Sequence, residues 1–134
     1  MKNGMIYCLI LLVLFSCKKD DETTSNVNPL LGEWKLFMIL ADPGDGSGEF
    51  KLIESDKIII FKEDGTISTN TSLCEPFSDE IINIGTFSES NNSIQTDCIN
   101  NNVEIIGFQL RDETLILNYV SNEGYSEKYT KKNN

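Results

Sequence analysis

The chain has 134 residues, 11 Lys+Arg against 21 Asp+Glu, a formal net charge of −10 and no histidine. So acidic a surface repels nucleic-acid phosphates and excludes a basic-groove function, so no nucleic-acid partner is expected. The missing histidine removes the Ser–His–Asp triads and the usual zinc ligand sets, and no phosphate-cradling or dinucleotide motif is present, so no enzyme activity, metal or cofactor is expected.

Residues 1–16 have the three parts of an export signal: Lys2 as the charged start, an apolar run from Met5 to Phe15, and the small Ser16. As a helix at roughly 1.5 Å per residue the apolar run spans about 16 Å, too short for a bilayer core of about 30 Å. The tetrapeptide Leu14-Phe15-Ser16-Cys17 resembles the lipobox at which lipoprotein signal peptidase cuts. That resemblance implies a mature chain beginning at a diacylated, palmitate-bearing Cys17. Cleavage would remove one basic residue, Lys2, and move the net charge from −10 to −11.

Residues 17–28 open with Lys18-Lys19-Asp20-Asp21-Glu22, and nothing apolar follows before Val27. Such a stretch cannot bury enough surface to order itself and reads as a tether. More than one acyl chain gives stable anchoring, so attachment to the outer membrane is expected, on its periplasmic side or at the cell surface. Residues 29–134 suit a single domain. Of the four cysteines, Cys8 leaves with the signal and Cys17 is lipidated, which leaves Cys74 and Cys98 in an oxidising compartment. They are expected to pair; two free buried thiols are the alternative.

After residue 28, short β-branched or aromatic runs alternate with Gly, Asn and Asp, the pattern of an all-β chain. The first expected strand, Glu33 to Ala41, sets Trp34, Leu36, Met38 and Leu40 on one face. The glycine-rich stretch Asp42 to Glu49 breaks it; its acidic oxygens could also hold Ca²⁺, although the spacing is not that of an EF-hand. Strands follow at Phe50–Glu54 and Lys57–Lys62, then Glu63-Asp64-Gly65 turns the chain into Thr66–Asn70. A longer connection over 71–82 holds Cys74. Further strands are expected at Ile84–Ser88, Ser93–Cys98, Val103–Leu110, Thr114–Val120 and Tyr125–Lys131. Eight or nine strands joined by tight turns fit a small eight-stranded antiparallel up-and-down β-barrel, closed so that no strand edge is exposed. The inward set is then Trp34, Leu36, Met38, Phe50, Leu52, Ile58, Ile60, Ile67, Phe87, Ile94, Leu115, Leu117, Tyr119 and Tyr129.

Three stretches resemble the lipocalin-like domains of bacterial lipoproteins. Leu31-Gly32-Glu33-Trp34-Lys35-Leu36 resembles the opening Gly-x-Trp, Ile60-Phe61-Lys62-Glu63-Asp64-Gly65-Thr66 a hairpin, and Leu115–Tyr119 with Glu127–Lys131 the closing strands. The resemblance implies that Trp34 seals the narrow end of the barrel, with Lys128 or Lys131 where the family sets an arginine against the indole. It implies a lipid-anchored, monomeric, non-catalytic binding module of the cell envelope for a small apolar ligand. Leu36, Met38, Phe50, Phe87, Leu117, Tyr119 and Tyr129 are then the ligand-lining residues, or they simply fill the interior. The alternative function is that of an acidic interaction or inhibitor protein engaging a cationic protein partner without a pocket. An enzyme would require converging carboxylates or tyrosines, which the sequence does not announce.

Overall fold

The computed structural model describes residues 28–74, 78–98, 105–120 and 123–132. The expected export signal, Cys17 and the tether up to Val27 lie outside these residues. Nine strands form among them: β1 (Gly32–Ala41), β2 (Lys51–Leu52), β3 (Ile58–Phe61), β4 (Thr66–Thr69), β5 (Ile84–Ser88), β6 (Ser93–Gln95), β7 (Ile105–Arg111), β8 (Thr114–Tyr119) and β9 (Tyr125–Lys131). From β3 to β9 each strand pairs antiparallel with the next, and β1 pairs with both β3 and β9. Eight strands therefore close an up-and-down, lipocalin-like barrel. The short β2 pairs with β1 on the same edge as β3, so β2 and β3 are two parts of one strand interrupted by residues 53–57.

Local chemistry sets the reversals. At the β3–β4 turn Gly65 takes φ +79°, a left-handed conformation that costs glycine little, and Asp64 Oδ1 accepts hydrogen bonds from the Thr66 amide at 2.9 Å and hydroxyl at 2.6 Å. In the wall, Gly85 passes so close to β6 that an added Cβ would stand 2.6 Å from the Gln95 carbonyl oxygen. Cys74 and Cys98 form a disulfide that ties the β4–β5 connection to the chain just after β6.

The side chains alternate between a packed interior and an outer face. Trp34, Ile59, Phe61, Ile67, Ile94, Ile106, Leu115, Leu117 and Tyr129 are essentially inaccessible. The end reached by the β3–β4, β5–β6 and β7–β8 turns is apolar. There the Trp34 indole donates to the Leu30 carbonyl at 2.8 Å, Lys131 Nζ stands 5.3 Å from its ring centre, and Phe61 packs edge-on against Phe87 and Phe108.

Several expected inward positions are corrected. In β3 it is Ile59 and Phe61 that are buried, while Ile58 and Ile60 turn toward the outer face. A run of four apolar residues carries no alternation to fix its register. In β1, a bulge between Leu36 and Met38 swaps the faces, because Leu36 pairs with the inward Tyr129 and Met38 with the outward Lys128. Ile39, opposite the buried Glu127, takes the inward place instead. Leu52 is 77% exposed on β2, and Phe50 lies outside, its ring 3.8 Å from the Lys128 ammonium.

Candidate functional site

The end of the barrel opposite Trp34 is built differently. β9 leaves its hairpin with Tyr125, Glu127 and Tyr129 at alternate positions, all facing inward and all buried. β8 brings Tyr119 opposite Tyr125, and their rings meet edge-on at 5.3 Å. From the far side of β1, just ahead of β3, Lys57 enters, two residues before Ile59 and on the same face.

These side chains converge on one carboxylate. Glu127 is 2% exposed. Its Oε2 accepts from the Tyr119 hydroxyl at 2.8 Å and the Tyr129 hydroxyl at 2.5 Å, and its Oε1 from the Tyr125 hydroxyl at 3.1 Å. Lys57 Nζ donates to both oxygens, at 2.9 and 3.0 Å. An isolated carboxylate costs several kcal/mol to bury; a counter-charge and a full set of donors offset that cost. Every tyrosine of the chain beyond Tyr7 is spent on this one residue.

The surroundings fix the protonation of the phenols. Burial first, and then the adjacent Glu127 charge, push Tyr119 and Tyr129 well above the ordinary tyrosine range, and the same two causes raise Tyr125. All three therefore act as hydrogen-bond donors and are poorly suited to serve as bases. Converging tyrosines and a carboxylate are present, although the strand pattern alone did not announce them.

Two further features belong to this end. Thr96 follows Ile94 on the inner face of the chain leaving β6, is 3% exposed, and among the described residues its hydroxyl has no hydrogen-bond partner. Outside the wall, a groove of about 410 Å³ lies between β1 and the interrupting residues 53–57. Phe37 and Ile53 provide its apolar side chains, Lys35, Glu54, Ser55, Asp56 and Thr130 its polar rim, and the inward-facing Leu36 borders it. The segment that delivers Lys57 to Glu127 thus borders an open space.

Among the residues expected to line a ligand pocket, Leu36, Leu117, Tyr119 and Tyr129 face the interior, and Phe87 is half-buried against the apolar end. Met38 and Phe50 do not join them. Sequence reasoning missed Lys57, Tyr125 and Glu127. The available signal was parity, since placing Tyr129 inward on a strand also places Glu127 and Tyr125 inward. In the glycine-rich loop Asp42 folds its carboxylate onto its own backbone. Oδ1 accepts from the Gly44 and Gly46 amides at 2.7 and 3.0 Å, and Oδ2 from the Gly48 amide at 2.6 Å. Those amides, Gly48 foremost, hold its carboxyl below the usual range. Cys74, Cys98 and Glu80 cluster, but the two sulfurs are bonded to each other and offer no thiolate.

No family model, curated protein or solved structure matches this chain.

Proposed function

We propose that the protein is a non-catalytic binding module of the cell envelope, anchored to the outer membrane through an acylated Cys17, which holds a small, partly apolar ligand in the groove beside residues 53–57. The observation that carries this reading is the groove itself. Its volume of about 410 Å³ falls within the range of small-molecule sites, and Phe37 and Ile53 offer apolar side chains inside a polar rim.

The test is a titration of the full chain in detergent micelles with n-hexanol, followed by amide chemical shifts. Saturable shifts at Phe37 and Ile53–Asp56, abolished in Phe37→Asp, are expected. Shifts confined to other residues, or none that saturate, would remove the groove from consideration. The anchor is tested separately by palmitate labelling, which should be lost in Cys17→Ser. The net charge of −10 favours a second reading, an acidic surface that engages a cationic protein. Its mark is binding to basic proteins that weakens steeply with salt.

A further inference from the structure

Lys57 occupies a place that a ligand's ammonium group fits equally well. Among the described residues its Nζ is held by the two oxygens of Glu127, and it arrives on the segment that interrupts the strand formed by β2 and β3. This segment is held to β1 by only two backbone hydrogen bonds, Ile53 N to Phe37 O and Leu36 N to Lys57 O, each 3.0 Å. Residues 53–56 also wall the groove, so space for a displaced lysine lies next to it.

We propose that the buried Glu127 carboxylate is a binding site for the primary ammonium group of a small aliphatic amine, which takes the position of Lys57. The proposal rests on the groove reading above and adds the chemical class of the ligand. Exchange of one ammonium for another keeps the carboxylate neutralised throughout, so no uncompensated charge is left in the barrel. The phenols of Tyr119, Tyr125 and Tyr129 already surround the carboxylate and hold its oxygens in place for an ammonium. A second observation lies at the same end of the barrel: the buried Thr96 hydroxyl, on the inner face of the chain leaving β6, has no hydrogen-bond partner among the described residues. The net charge of −10 draws cations rather than anions to the surface. The amine is either a free alkylamine or the ethanolamine headgroup of a phospholipid, both of which present the same primary ammonium.

The test uses the full chain in micelles, with the ring resonances of Tyr119, Tyr125 and Tyr129 as the readout. n-Pentylamine is compared with the neutral n-pentanol in wild type, in Lys57→Met and in Lys57→Met/Glu127→Gln. Removing the internal competitor should tighten pentylamine binding by about tenfold or more, since apparent affinity is reduced by the fraction of sites that are occupied. Pentanol should leave the tyrosines unmoved, and the double variant should not respond to the amine. If Lys57→Met does not fold, the wild-type titration decides by itself: saturation must shift the three tyrosines together with the Lys57 side chain. Lysophosphatidylethanolamine set against lysophosphatidylcholine separates a headgroup from a free amine. A response to both pentylamine and lysophosphatidylethanolamine assigns the shared ammonium chemistry, and a response to pentylamine alone assigns the free amine. Pentanol shifting groove amides while pentylamine leaves the tyrosines unmoved would overturn this proposal and leave the groove reading standing; no binding of either would overturn both.

Discussion

The two ends of the barrel solve the same problem of filling a narrow interior by opposite means. At one end Trp34, Phe61, Phe87 and Phe108 exclude water by shape, with a single indole hydrogen bond to Leu30 and the Lys131 ammonium over the ring. At the other, Lys57, Tyr119, Tyr125, Glu127 and Tyr129 fill the space with polar groups that hold their places only because each has a partner. The apolar end tolerates no change of volume, whereas the polar end tolerates no change in charge balance.

That contrast can be broken from either side. Trp34→Ala should cost about 3–5 kcal/mol in urea unfolding, through a cavity that no second substitution far from it repairs. Lys57→Ala should cost about as much by leaving the Glu127 charge buried without a counter-ion. The decisive comparison is recovery, since Lys57→Met with Glu127→Gln should regain most of the loss. A double variant no more stable than the single one would mean that the polar end is not held by charge balance.

The disulfide braces the polar end alone. Replacing both Cys74 and Cys98 by serine should lower stability by roughly 3 kcal/mol in the chain-entropy model, given their separation of 24 residues. Calorimetry reads the size of the change, and the Trp34 fluorescence maximum should stay where it is while the protein remains folded.

Alkaline titration sharpens the comparison further. Tyrosines of the unfolded chain ionise near pH 10, whereas Tyr119 and Tyr129 in the folded chain stay protonated well above that. Their contribution is therefore complete below pH 10 and lost as pH rises beyond it, because the unfolded state then binds fewer protons. The limiting slope from these two groups is about 2.7 kcal/mol per pH unit. Urea midpoints from pH 8 to 11 measure it, and tyrosinate absorbance from the cluster should appear only with unfolding; ionisation near pH 10 in the folded protein would mean that the phenols are not buried on Glu127. The smallest effect is expected at the surface. Lys132 and Glu33 meet at 3.1 Å with both side chains exposed, and Lys132→Ala should cost less than about 1 kcal/mol.

The barrel was legible because its determinants are local. Two-residue alternation in β8 and β9, the turn residues Asp64-Gly65, and tight reversals between short strands specify antiparallel neighbours before any long-range contact is considered. The pairing of Cys74 with Cys98 followed from counting thiols. Faces were harder to assign. Ile58 to Phe61 is apolar throughout, and a lysine beside it is ordinarily placed outside, which sends Ile58 and Ile60 inward. Lys57 faces inward because Glu127, seventy residues later, awaits it.

What the amino-acid sequence determined by itself is the all-β character, the positions of most reversals and the antiparallel pairing of strands joined by tight turns, since each depends on residues within a few positions of one another. What only the tertiary structure decided is which side of β3 and of the bulged β1 meets the interior, and that a lysine, a glutamate and three tyrosines share one end of it. The physical reason is that a charge can be buried only beside its complement. That complement is supplied by strands that become neighbours when the ring closes.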